Sequence, residues 1–279
     1  MKLHTIETGL FKLDGGAMFG VVPKSIWQKS NPADTNNMCT WAMRCLLVED
    51  GNRLILIDTG IGDKQDEKFF SHFYLHGVDT LDKSLALNGF SKDDITDVFL
   101  THLHFDHCGG AIIRKDNQLL PAFKNANYWS NEKHWDWAVH PNAREKASFL
   151  SENILPLQES GQLKFVEDKE GVTFADNFKI RFAFGHTDAM MLPQLNYKGR
   201  TIIYAADLLP STGHIPLPYV MSYDMFPLQT LKEKKAFLEE AATNNYVLYL
   251  EHDAVNECCT VEQTEKGVRL KETFKLSDL

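Results

Sequence analysis

The stretch Thr101-His102-Leu103-His104-Phe105-Asp106-His107-Cys108-Gly109-Gly110 packs three imidazoles and a carboxylate into six positions, directly after the apolar run Val98-Phe99-Leu100. Extended backbone sends residues i and i+2 to the same side, so His102 and His104 share one face. The chain must then bend to bring Asp106 and His107 to the same centre, and Gly109-Gly110 reads as a tight exit into a following helix. Imidazole and carboxylate are ligands for divalent metals. A closed zinc site uses four such groups and a catalytic one three, so a cluster this dense predicts more than one ion. A polar surface cluster is the plain alternative, and it does not explain ligand spacing placed directly after an apolar strand.

The elements that position these groups recur along the chain. Leu54-Ile55-Leu56-Ile57 ends at Asp58-Thr59-Gly60. Ile180-Arg181-Phe182-Ala183-Phe184 runs into Gly185-His186-Thr187, and Thr201-Ile202-Ile203-Tyr204-Ala205-Ala206 ends at Asp207. Tyr246-Val247-Leu248-Tyr249-Leu250 is followed by Glu251-His252-Asp253. Five apolar strands thus each deliver a ligand-type residue at their carboxyl end. Layered α/β proteins place ligands at that rim, which predicts one shared site.

His-x-His-x-Asp-His, followed by a distal His, Asp and His after separate strands, resembles the metallo-β-lactamase superfamily of hydrolases over nearly the whole chain. Within it, Leu13-Asp14-Gly15-Gly16-Ala17-Met18-Phe19-Gly20-Val21-Val22-Pro23-Lys24 and Ala206-Asp207-Leu208-Leu209-Pro210 are similar to the Bacillus-type quorum-quenching lactonases. These are relatives of the N-acyl-homoserine lactone lactonases and of methyl parathion hydrolase. The resemblance implies an αββα sandwich (α/β class, four layers). It implies a first metal on His102, His104 and His186, a second on Asp106, His107 and His252, and Asp207 bridging both. Zinc suits these donors best, and iron, cobalt, nickel or manganese also fit them. A hydroxide held between two such ions would attack the substrate carbonyl, so no serine or cysteine nucleophile is needed. Asp106 counts among the catalytic candidates as well as the ligands. Asp58 resembles a carboxylate that orients a ligand imidazole, with a turn residue as the alternative. Asp253 has the same two readings, with less to favour the first.

Two departures from the family pattern stand out. Acyl-homoserine lactone lactonases carry a tyrosine three positions after the bridging aspartate, and here that position is Pro210. A substitute donor for the leaving group is expected, and His214 and Tyr223 are the candidates, against a loop histidine and a packed aromatic. After His186, Thr187-Asp188-Ala189-Met190-Met191 replaces a Gly- and His-containing continuation. These methionines, with Met18, Phe19, Trp27, Phe105 and Leu209, belong either to an acyl pocket or to the core. His134, beside Trp135 and Trp137, reads as packing.

The chain has 279 residues and 43% hydrophobic content, enough for a full core, and no linker, charge block or repeat marks a boundary. A single domain, 1–279, is expected. A net charge of −9 argues against nucleic acid as a partner. No secretory signal and no membrane-length apolar run are read. The five cysteines include no Cys-x-x-Cys pair, which predicts reduced thiols and a cytoplasmic setting, with Cys108 structural. A small-molecule partner is implied, and a homodimer is left open.

Arg44–Val48 and Leu54–Ile57 around Asp50-Gly51-Asn52 read as a hairpin. Thr80 to Asn88 reads as a helix stopped by Gly89. Asn131 to Leu157 reads as two helices broken by Pro141 and Pro156. Thr230 to Asn245 reads as a helix opened by a Thr230/Glu233 capping box. The opening segment to Val22 reads as short strands around a Gly15-Gly16 turn, and Pro23 to Met38 as loop.

The expected activity is opening of lactone or ester bonds in a small, partly apolar substrate, N-acyl-homoserine lactones first. A phosphotriesterase is the runner-up, and a glyoxalase II-like thioesterase comes third. A diiron redox enzyme would carry Glu at position 104 and a further domain. A nuclease would need an insertion, and a secreted β-lactamase a signal peptide.

Overall fold

The strand Asp97–Phe99 is buried along its whole length and has a parallel neighbour on each side. Such strands face packed layers above and below and read as unbroken apolar runs. The computed structural model describes residues Met1–Leu279, which divide into two units, Met1–Gly9 with Met43–Lys169 and Leu10–Ala42 with Glu170–Leu279.

The first unit is built on a six-stranded sheet. Its strands are β1 (Lys2–Asp14), β2 (Met38–Asp50), β3 (Arg53–Ile57), β4 (Asp97–Phe99), β7 (Asn127–Asn131) and β8 (Leu163–Val166), side by side in that order. The unit boundary falls within β1 and β2. A separate hairpin supplies β5 (Ile112–Lys115) and β6 (Gln118–Pro121). β2 and β3 pair antiparallel from Leu46↔Ile57 to Asp50↔Arg53, the expected hairpin. β3, β4, β7 and β8 are mutually parallel. Their core includes Leu47, Leu56, Val98, Leu100, Leu103, Phe123 and Tyr128, all fully buried.

The second unit holds a seven-stranded sheet, whose strands lie side by side in the reverse of their chain order. The strands are β9 (Val172–Ala175), β10 (Phe178–Ala183), β11 (Met190–Tyr197), β12 (Arg200–Tyr204), β13 (Val247–Tyr249), β14 (Cys258–Thr264) and β15 (Gly267–Phe274). Only β12 and β13 run parallel, and the helix Pro227–Asn244 lies between them in the chain. Met190 and Met191 are fully buried in β11, paired with Ala183 and Phe182, which makes them core. Met18, Phe19, Trp27 and Leu209 are buried too.

Several local expectations change. Gly15-Gly16 opens the helix Gly15–Phe19 instead of a turn, because the Asp14 side chain accepts the Ala17 N–H at 2.8 Å. The segment read as loop contains the helix Lys24–Trp27. Pro156 lies inside the helix Ser151–Glu159 without breaking it. The carbonyl it leaves without an N–H partner belongs to half-buried Glu152, at the start of the helix. The Thr230/Glu233 pair caps nothing, since that helix already starts at Pro227. Gly109-Gly110 follows the short helix Phe105–Cys108 and does not precede one. These glycines serve close approach: a Cβ at Gly109 would sit 2.1 Å from the Ile61 carbonyl, and one at Gly110 2.3 Å from that of Thr59.

Candidate metal centre

In the first unit, the ends of β3 and β4 set out the donors. Asp58 follows β3 with φ +58°, a left-handed conformation that Asp tolerates better than most residues. Its carboxylate accepts the Thr101 N–H at 2.8 Å and lies 3.2 Å from His107 Nδ1. The Thr59 N–H and hydroxyl both donate to the His107 carbonyl, at 2.8 and 2.9 Å. Asp58 thus both turns the chain and orients an imidazole.

His102 Nε2 and His104 Nδ1 face each other at 3.1 Å. The outer nitrogen of His104, Nε2, meets the Glu145 carboxylate at 2.9 Å, and Glu145 is 1% exposed. His107 Nε2 lies 3.8 Å from Asp106 Oδ2. His134, read as packing, is fully buried, and its Nε2 accepts the Leu103 N–H at 2.9 Å, pinning the motif's backbone. The Lys64 ammonium donates to the Gly109 carbonyl just past the motif. Cys108 is sealed against the Leu103 carbonyl, and burial pushes its thiol up to about 12. It is no thiolate near neutral pH.

In the second unit, two imidazoles converge on one carboxylate. His186 Nε2 lies 3.0 Å from Asp207 Oδ2, and His252 Nε2 lies 3.0 Å from Asp207 Oδ1. Each imidazole is anchored through its other nitrogen. His186 Nδ1 meets Asp224 Oδ1 at 2.9 Å, and His252 Nδ1 meets the Ala42 carbonyl at 2.7 Å. The Glu233 carboxylate accepts the N–H groups of Phe184 and Gly185, fixing the approach to His186. Asp253 accepts the N–H and hydroxyl of Thr212, which ties the loop after His252 to the segment after Asp207.

This donor set fits a divalent cation. Imidazoles anchored on one nitrogen and converging through the other are the usual surroundings of a bound metal. Nitrogens 3.1 Å apart leave room for an ion ~2.1 Å from each. Charge agrees. Burial alone would depress His186, but the Asp207 and Asp224 carboxylates outweigh it and raise it to about 10. The field there calls for positive charge, which a proton or a metal ion can supply.

His214 is placed differently from a proton donor. It is 1% exposed, with Nδ1 2.8 Å from Ser211 Oγ and Nε2 2.9 Å from the Met18 carbonyl. Its ring stacks on Phe19 at 4.5 Å. Burial pushes it down to about 3. Its contribution to stability is therefore complete above the ordinary value of 6.5 and is lost as pH falls from there towards about 3. Urea melts at pH 7 and pH 5 should show His214→Phe losing less stability over that interval than wild type; equal losses would contradict the assignment. Tyr223, in contrast, is 37% exposed and immediately precedes Asp224.

The loop bearing both residues is held by Lys234, which is 1% exposed. Its ammonium donates to the carbonyls of His214, Pro216 and Tyr219 at 2.8, 3.2 and 2.7 Å. Burial pushes Lys234 down to about 7, with Asp224 opposing.

Glu145, Asp224 and Lys234 carry no sequence motif, and the capping-box spacing of Glu233 points to a different role. The only pointer to the first two is the physical need of a ligand imidazole for an outer partner.

The sequence profile of the "Metallo-beta-lactamase superfamily" matches residues 44–252. The chain belongs to this superfamily. Its two sheets with accompanying helices agree with the α/β class expected. An N-acyl homoserine lactonase of Bacillus thuringiensis is 26% identical over 165 residues, 56% of this chain and 56% of the relative. The chain thus spans little more than half the length of that curated relative. Among solved structures, a Staphylococcus aureus protein described as a "probable metal-dependent hydrolase" aligns with TM-score 0.88 at 26% identity, over 100% of this chain and 98% of that one. AidC, a dizinc quorum-quenching lactonase bound to its product N-hexanoyl-L-homoserine, aligns with TM-score 0.81 at 24% identity, over 99% and 97%. This last likeness speaks to fold. No helix is long and apolar enough to cross a membrane.

Proposed function

We propose that the protein is a dinuclear metal-dependent hydrolase that opens the lactone ring of N-acyl homoserine lactones or a closely similar ester. In this reading His102, His104 and His186 hold one ion, Asp106, His107 and His252 hold the other, and Asp207 serves both. One observation carries the proposal: each Asp207 oxygen faces a different imidazole at 3.0 Å, and each imidazole is anchored from behind. A carboxylate arranged in this way is suited to two cations. Membership of the superfamily and the likeness to lactonases support it. Zinc is the favoured ion on donor chemistry.

When bound, two such ions supply a nucleophile at neutral pH and stabilise negative charge on carbonyl and leaving oxygens. The chain's own residues do the rest. Asp58, Glu145, Asp224 and the Ala42 carbonyl fix imidazole orientation. Tyr223 is the donor for the departing alkoxide, and His214 holds its loop. The thiols take no part. All five are free and buried, which supports a reducing, cytoplasmic setting.

Elemental analysis should give two transition-metal ions per chain. A panel of lactones, aryl esters, phosphotriesters and thioesters should show the highest kcat/KM on N-acyl homoserine lactones. Zero or one ion overturns the dinuclear reading. Pro210 in the tyrosine position favours one competitor, a phosphotriesterase, since aryl leaving groups need less protonation. Preference for phosphotriesters would establish it.

A further inference from the structure

The outer nitrogen of His104 points at a carboxylate that no motif contains. Glu145 is 1% exposed and lies 41 positions downstream, and its Oε1 sits 2.9 Å from His104 Nε2. Its other oxygen accepts the Trp137 indole N–H at 2.6 Å and the Asn142 side-chain amide at 3.3 Å. The backbone is fixed as well: the Glu145 N–H donates to the Asn142 side-chain oxygen at 3.1 Å, and the Ser148 N–H to the Glu145 carbonyl at 2.8 Å. Phe149 covers the His104 ring at 4.8 Å. The carboxylate is therefore buried and held on both oxygens, one of them against the outer nitrogen of His104.

We propose that Glu145 is a positioning residue that makes His104 a stronger metal donor and selects Nδ1 as its coordinating atom. The inference rests on the metal-binding reading above. A buried carboxylate accepting the Nε2 proton keeps that proton on the outer nitrogen, so the lone pair stays on Nδ1. Negative charge next to the ring raises the basicity of Nδ1, and the low local dielectric magnifies this influence. Trp137 and Asn142 stop the carboxylate from swinging away. Sequence separation hid this chain of contacts, because His104 and Glu145 lie 41 positions apart.

Glu145→Gln removes the charge at nearly constant volume, and its single oxygen can accept from Nε2 only by turning its NH2 towards the Trp137 N–H and the Asn142 amide. Metal-depleted wild type, Glu145→Gln, Glu145→Asp and Trp137→Phe are titrated with Zn2+ and Co2+ against a chromophoric chelator. The Co2+ absorption bands and the thermal melt of each metal-depleted protein are recorded in parallel. Wild type should bind two ions. Glu145→Gln should bind one of them ~10–100-fold more weakly, the loss associated with such outer partners, with altered Co2+ bands. Glu145→Asp should keep the charge and recover part of the affinity, and Trp137→Phe should give a smaller loss of the same kind. Glu145→Gln with unchanged affinity and bands overturns the proposal, as does weakening of both ions in proportion to a lowered melt. If wild type itself binds no metal, it is the metal-binding reading that fails, and the two failures are distinct.

Discussion

Replacing His186 or His252 by alanine is expected to lower kcat/KM on the best substrate ~10³-fold or more, about 4 kcal/mol of barrier. Each residue is fully committed, with one ring nitrogen aimed at Asp207 and the other anchored on Asp224 or the Ala42 carbonyl. Alanine leaves the carboxylate and the anchor in place and removes the donor between them. Metal content measured on the same preparations should fall by about one ion per chain. Asp224→Ala, which keeps the donor and loses only its orientation, should cost ~10–100-fold in metal affinity. Ligand-free variants that retain wild-type turnover would remove the basis of the metal mechanism.

The second large effect concerns the leaving group. A lactone releases a strongly basic alkoxide, which needs a proton or a cation as the bond breaks, whereas p-nitrophenolate needs little help. Tyr223 is exposed and next to Asp224, the His186 partner. Tyr223→Phe is expected to lower kcat on lactones ~10²–10³-fold, the cost of removing one preorganised donor, and to spare p-nitrophenyl esters. His214→Ala should act differently, lowering both activities together with stability, because its nitrogens are already engaged with Ser211 and the Met18 carbonyl. If Tyr223→Phe leaves lactone opening intact, the phenol has no part in it.

Much of the scaffold was readable in the residues because its signals are local. The β2–β3 hairpin follows from two apolar runs around Gly51-Asn52, and β4 from three apolar residues before the His motif. The candidate donors were readable because their spacing is short or each lies just past an apolar strand. Other features depend on contacts between distant segments. The Ala42 carbonyl and His252 are 210 positions apart, and Asp224 and His186 are 38 apart. No window of sequence spans such pairs. Glu233 misled for a related reason: its spacing from Thr230 imitates a capping box, yet its carboxylate serves the amides of Phe184 and Gly185. The short strands expected before Gly15-Gly16 are one strand, β1, which continues through Gly9 at φ +113°.

Lys234 grips the loop through main-chain oxygens alone, those of His214, Pro216 and Tyr219. Every residue type supplies such an oxygen, so the anchor is indifferent to which side chains the loop carries. Positions 216 to 218, which are at least partly exposed, can accordingly be diversified in a library while the strap that fastens them to the helix Pro227–Asn244 stays the same, whereas Ile215 is buried and Tyr219 packs edge-on to Phe19. Redesign of that surface has a natural starting segment there, with Lys234 held constant.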